Sequence, residues 1–329
     1  MPEELHPRKI TVQRSKAKVT FDKHNFIFYS TSMLHIKEIF KQNRPTFSFE
    51  FFPPKSSEQT KILFHNMKEL DLLKPSFVSV TYGASGTTRE YTLELIKSLR
   101  TSTDLNIVAH LTLIGHTKQE LHEIIQEYDQ LGISTILALR GDPPLGANPQ
   151  NSKGDFQYAH ELVSFIKKNF PHMGIGVAGF PEGHPQTPNR LKEMDYLKAK
   201  VDCGADFICT QLFFDNRDFL DFRERCLLQG INIPIIAGIM PITSRGSLEK
   251  MAQLALGARY PAKLLKALAR AKDDESIERV GIHWASEQTR DLMDHGVDGV
   301  HFYTLNKSKS TQIIYQNLGV KDSLALHFS

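Results

Sequence analysis

The residues able to do chemistry in this chain sit at every second position of short apolar runs. In TFSFEFF (46–52), Phe47, Phe49 and Phe51 make one wholly apolar set, which sends Ser48 and Glu50 to the other face of a strand. The same alternation pairs Ser79 with Thr81 in FVSVTYG, His110 with Thr112 in NIVAHLTLI, and Cys209 with Gln211 in FICTQLFF, while STILALRG ends on Arg140 with Asp142 just beyond. Glu50, flanked by Phe49, Phe51 and Phe52, is expected to be partly desolvated, which favours the protonated form that a general acid needs. Asp142, beside Arg140 and the amides of the RGDPP loop, is expected to stay ionised and to suit an amide-like heterocycle or to place negative charge near a cofactor. A glycosidase carboxylate pair is the alternative, but sugar-stacking tryptophan is scarce, Trp284 being the only one.

These polar groups need elements that bring them to one place. Eight runs rich in β-branched and aromatic residues recur at 46–52, 77–83, 106–114, 134–141, 174–180, 207–214, 234–241 and 299–305. Between them lie amphipathic segments such as SEQTKILFHNMKELDLLK and KQELHEIIQEYDQLG, with apolar residues at helical spacing. Strands alternating with helices predict parallel βαβ units, and eight in one series predict a closed (β/α)8 TIM barrel of the α/β class in a single domain, an open doubly wound sheet being the competitor. The longer gap between the last two strands reads as further helices. The barrel is expected over 31–320, after a basic N-terminal extension (1–30) and before a short tail (321–329). In such a barrel the inward face carries function at the C-terminal ends of the strands, so five strands supply polar groups to one mouth.

Composition narrows the class of protein. With 40% hydrophobic and 23% charged residues and a net charge of +3, the chain can bury a core and has no excess charge to recruit nucleic acid. No stretch approaches the apolar length of a membrane span or a signal peptide, and Cys203, Cys209 and Cys226 match no disulfide or CxxC framework, so a cytoplasmic protein with free thiols is expected. GIGVAG (174–179) matches GxGxxG formally, but its glycines lie within a strand and not at a strand-to-helix turn, so close packing explains them better than a dinucleotide. The histidines show no metal-ligand spacing. Association of copies through helix faces is compatible with a barrel of this size.

The motifs FSFEFFPPK, FVSVTYGA, AHLT, LALRGDPP, FPEGHP, TQLFFD, AGIMP and HFYTLN occur in this order over about residues 31–320, and together they resemble the methylenetetrahydrofolate reductase family in a compact form without a long C-terminal regulatory region. The resemblance implies FAD at the barrel mouth, reduced by NADH or NADPH in a ping-pong cycle, and 5,10-methylenetetrahydrofolate as the small-molecule substrate. By motif match, Glu50 would protonate the folate N10, Asp142 would hold the pterin, and Gln211, Tyr303 and Lys307 would lie on the substrate side. FAD would meet Thr81, Tyr82, Ala84, His110, Arg140, Gly141, Asp142, Ala159, Phe180 and His184, with Glu193 and Lys200 toward its adenosine and phosphates. Phe180 stands where the family commonly has Tyr, Tyr196 and Ala199 where close relatives are polar or charged, and Lys307 where Arg is usual. A flavin- or folate-binding partner subunit without catalysis, and a pterin-dependent barrel without flavin, are the alternative functions.

Overall fold

The computed structural model describes residues 33–82, 89–142, 154–255 and 257–327. Ala84 and the basic segment 1–30 lie outside these residues. Eight strands run in chain order: β1 (Thr46–Phe51), β2 (Phe77–Val80), β3 (Ile107–Thr112), β4 (Thr135–Leu139), β5 (Gly174–Gly179), β6 (Phe207–Thr210), β7 (Ile235–Ile239) and β8 (Gly299–Tyr303). Each pairs in parallel with the next, and β1 pairs with β8 from Thr46↔Gly299 to Glu50↔Tyr303, which closes the sheet and excludes the open alternative. The helices are α1 (Ile36–Gln42), α2 (Ser57–Asp71), α3 (Arg89–Ser102), α4 (Lys118–Gln130), α5 (Ala159–Asn169), α6 (Arg190–Asp202), α7 (Asn216–Leu228), α8 (Arg245–Leu254), α9 (Ala262–Arg270), α10 (Asp274–Asp294) and α11 (Lys309–Asn317). The gap between β7 and β8 holds α8, α9 and α10, as its helical spacing predicts.

The alternation on β1 works out as read. Phe47, Phe49 and Phe51 are fully buried and pack outward in the main core with Leu63 and Met67 of α2. Phe47 and Phe49 also meet Phe302 and Tyr315 with ring centroids 6.0–6.5 Å apart. Each such ring contributes roughly 1.5–3 kcal/mol by leaving water. The residues expected as a tail are partly built in: Ser323, at the start of a 3-10 turn, is buried, its hydroxyl donating to the Leu73 carbonyl at 2.8 Å.

Inside the barrel the lower half is apolar. Ile36, Ile39 and Phe40 of α1 close the foot of the lumen against Phe77, Val108, Leu137, Phe207 and Ile236. Two glycines of GIGVAG make room for this packing, since a Cβ at Gly176 would meet the Phe207 ring at 2.4 Å and one at Gly174 would meet Ile36 at 2.8 Å, while a Cβ at Gly179 would meet Ile208 of the helix-side core at 2.7 Å. They are strand glycines serving close approach, as the sequence context implies. Among the described residues no helix is long and apolar enough to cross a membrane, and all three cysteines are free.

Candidate active site

Two residues above the apolar layer the lumen turns polar on several strands at once. Glu50, on β1, pairs in register with Ser79 and Tyr303. Its Oε2 lies 3.7 Å from His110 Nε2 on one side and 3.7 Å from His301 Nε2 on the other. His301 is fully buried, with Nδ1 2.7 Å from Ser48 Oγ and Nε2 3.3 Å from Ser79 Oγ. His110 is equally enclosed, and burial pushes its pKa down to about 4 against the pull of Glu50, so it is neutral at ordinary pH. Its Nε2 is buried without a hydrogen-bond partner.

The setting of Glu50 differs from the one its sequence neighbours suggest. Phe49 and Phe51 point to the helices on the opposite face of β1, and Phe52 is largely exposed. Adjacent residues of a strand cannot enclose one another, and the enclosure of Glu50 comes instead from across the sheet. Cys209 and Tyr303 complete its surroundings, and burial raises the pKa of both above their ordinary values. The Glu50 side chain keeps 21% of its surface open, so it sits in the lumen wall with access to the mouth.

The backbone beneath Glu50 is pinned by the HFYTLN segment. Thr304 Oγ1 donates to the Glu50 carbonyl at 2.6 Å. Asn306 takes a positive φ of 59° and grips Phe52 twice, its Oδ1 accepting from Phe52 N at 2.9 Å and its Nδ2 donating to Phe52 O at 2.8 Å. Asparagine tolerates this left-handed conformation better than most side chains. His301, Thr304 and Asn306 were not singled out by the sequence reading. The signal for His301 was present, because Phe302 faces the helices and strand parity then turns His301 and Tyr303 inward.

The rim residues divide into those that face the mouth and those that serve its walls. Asp142 is 88% exposed, with Arg140 Nη2 at 4.0 Å, and Arg140 also donates to Gln186 Oε1 at 2.8 Å. Gly141 between them has φ +84°, and a Cβ there would meet Thr112 and Ile114 at 2.8 Å, so the tight turn requires glycine. Gln211 accepts from Leu212 N through its Oε1 at 2.9 Å, and Lys307 is exposed. The Tyr303 hydroxyl donates to the Thr210 carbonyl at 2.7 Å, so its ring, and not its oxygen, faces the site. Thr81 follows β2, its carbonyl accepting from Thr92, and Tyr82 is buried with its hydroxyl 3.2 Å from His116 Nε2. Ala159 opens α5.

On the β5 side, Phe180 meets His184 edge to face at 4.7 Å, and burial lowers the His184 pKa. The buried Glu193 carboxylate accepts from the His184 backbone N–H at 2.7 Å, so it shapes the FPEGHP loop from behind. Lys200, in the last turn of α6, lies against β5. Its Nζ donates to the Ala178 carbonyl at 2.6 Å, and burial brings its pKa down to about 8. The same loop is braced from outside by Arg259, whose N–H and Nε donate to Glu182 Oε1 at 2.7 and 3.3 Å.

Among the described residues no group of three or more His, Cys, Asp or Glu is placed to hold a metal ion. The Glu50 cluster sets one carboxyl between two imidazoles at the mouth of the barrel, an arrangement chemically suited to handling a proton.

Comparison with known proteins agrees with this geometry. Residues 35–319 match the family model described as methylenetetrahydrofolate reductase. The chain is 38% identical over 284 residues to the 5,10-methylenetetrahydrofolate reductase of Escherichia coli, covering 86% of this chain and 94% of that protein. It is 39% identical over 299 residues to methylenetetrahydrofolate reductase (NADH) 1 of Arabidopsis thaliana, covering 87% of this chain but half of that protein's length. Among solved structures, an uncharacterized protein from Clostridium thermocellum that binds two copies of 5-methyl-5,6,7,8-tetrahydrofolic acid has the same fold, with a TM-score of 0.59 at 14% identity over 86% of this chain and 96% of the other.

Proposed function

The chain belongs to the methylenetetrahydrofolate reductase family, and from that premise we propose that it reduces 5,10-methylenetetrahydrofolate to 5-methyltetrahydrofolate with FAD at the barrel mouth and a nicotinamide as electron donor. The observation that carries this reading is Glu50, an acid held by its backbone to β8 and set between His110 and His301 where a substrate entering the lumen would meet it.

The mouth fits a flat, anionic cofactor on two counts. His110 Nε2 is a buried polar atom awaiting a partner, and the Gly141 turn brings backbone close beside the Arg140 guanidinium. When bound, the flavin supplies hydride transfer. Thr81, Tyr82, Ala84, His110, Arg140, Gly141, Asp142, Ala159, Phe180 and His184 would hold it, with Glu193 setting the position of His184 and Lys200 available to the phosphates. Glu50 gives its proton to the folate N10 as the carbon–nitrogen bond opens. Asp142 accepts from the pterin N–H donors, since an ionised carboxylate is an acceptor only. The Gln211 Oε1 is engaged by Leu212 N, which leaves its amide N–H groups for the ligand. Tyr303 offers its ring as a wall, and Lys307 faces a folate carboxylate as a point charge.

The experiment is anaerobic double-mixing stopped flow on the FAD-loaded protein, first with NADH or NADPH and then with methylenetetrahydrofolate. NADH is the first donor to try, since the Arabidopsis relative is named for it. Bleaching of the flavin band by a nicotinamide and its recovery with folate is the expected result. A flavin that binds but is neither bleached nor restored would point to the partner-subunit reading, and a protein that takes up no flavin to the pterin-dependent barrel.

A further inference from the structure

His301 is buried beside Glu50 and has no part in the chemistry assigned above. Its ring is held at three points: Nδ1 2.7 Å from Ser48 Oγ, Nε2 3.3 Å from Ser79 Oγ, and one face stacked on Phe77 at 6.2 Å. Ser48 Oγ also lies 3.5 Å from the Val300 carbonyl, a group that can only accept, so its hydroxyl has a direction to turn when its oxygen accepts from Nδ1–H. In that tautomer of the neutral ring Nε2 carries a lone pair, with the Ser79 hydroxyl at 3.3 Å and Glu50 Oε2 at 3.7 Å.

We propose that His301, protonated at Nδ1 toward Ser48, is the positioning residue of the Glu50 acid: its Nε2 lone pair accepts a hydrogen bond from the protonated carboxyl and keeps the proton on Glu50 until a substrate nitrogen takes its place as acceptor. A small turn of the carboxyl closes the 3.7 Å gap, as expected of active-site hydrogen bonds that tighten when the proton and substrate are present. No covalent bond is made or broken at His301. The proton leaves Glu50 for the folate nitrogen, and His301 only accepts its hydrogen bond beforehand.

Other groups around Glu50 do not compete for this part. His110 of β3 faces the same oxygen, but no serine fixes its Nε2, which has no partner. Cys209 of β6 and Tyr303 of β8 are neutral at working pH, and Tyr303 directs its hydroxyl to Thr210. Ser48 and Ser79 carry no charge. His301 is thus the neighbour whose ring is held at three points with Nε2 toward Glu50.

The inference rests on Glu50 as the acid, and two measurements keep the readings apart. The first is a histidine-labelled nitrogen NMR spectrum of the protein, with His301 assigned by the loss of its signals in His301→Phe. The expected pattern is a protonated Nδ1 and an unprotonated Nε2 in the wild type, with that preference weakened in Ser48→Ala. A protonated Nε2 overturns the proposal, whatever the role of Glu50. The second is the pH profile of the folate half-reaction in the reduced, FAD-loaded enzyme. In both His301→Phe and Ser48→Ala the alkaline limb is expected to move to lower pH, by about one unit in the former, so that the rate falls roughly tenfold at the alkaline end and little at the acid end. An equal loss at every pH, the mark of a merely structural role, overturns the proposal, as does a shift to higher pH. Ser48→Ala leaves the ring and its stacking in place, so the test survives a folding defect in His301→Phe.

Discussion

The foot and the mouth of this lumen are built by the same strands and differ two residues apart. On β2 Phe77 gives way to Ser79, on β3 Val108 to His110, and on β6 Phe207 to Cys209. At the foot, α1 and the inward rings pack as one apolar cluster. At the mouth, a buried imidazole nitrogen has no partner and a carboxyl is wedged between two histidines. Inward positions optimised for stability would continue the apolar layer upward. That they do not marks the upper layer as the place where binding and proton transfer outweigh packing.

The contrast can be broken at either end. Truncating the foot should produce the largest loss of stability: Phe207→Ala removes a ring packed against Phe40 and Phe77 and is expected to cost about 3–5 kcal/mol. Denaturant unfolding would measure it, and the flavin half-reactions of the surviving folded protein should stay near wild type. A comparable loss of turnover in the folded fraction would mean that foot and mouth are not separable.

His110 gives the next effect, through pH. Its pKa falls from 6.5 in the open chain to about 4 when buried, so below pH 6.5 the unfolded chain takes up a proton that the native state refuses. Stability therefore drops as pH falls from 6.5 to about 4 and levels off below, by an amount of order 3 kcal/mol. Unfolding of the cofactor-free protein and of His110→Gln across that range should show the wild-type stability falling relative to the variant by about that amount, and a constant difference would contradict the burial argument.

The smallest effect belongs to the strap between β8 and β1. Thr304→Val deletes the hydroxyl that donates to the Glu50 carbonyl and should cost about 1 kcal/mol of stability, with a larger proportional loss in the folate half-reaction than in the nicotinamide half-reaction. Equal losses in both would show that the strap serves the fold and not the acid.

How far this site was legible depends on whether a property lies along the chain or across it. The period-2 runs located all eight strands, and the Phe47, Phe49, Phe51 set fixed which face of β1 meets the helices. Both follow from local spacing. The company Glu50 keeps is not local: His110 and His301 reach it only through barrel closure, and the adjacent phenylalanines that looked like its pocket face the other way. Strand parity did hold the clue to His301, two positions from Tyr303 on one face, and identifying it required treating HFYTLN as a strand end before treating it as a motif.

The account's central claim is that Glu50 supplies the proton at the mouth, and single-turnover kinetics of Glu50→Gln test it most directly. With the variant prereduced anaerobically by its nicotinamide, the account predicts reduction of the flavin at near wild-type rate and folate-driven reoxidation slower by roughly a hundredfold to ten-thousandfold. Reoxidation by methylenetetrahydrofolate at the wild-type rate would contradict it.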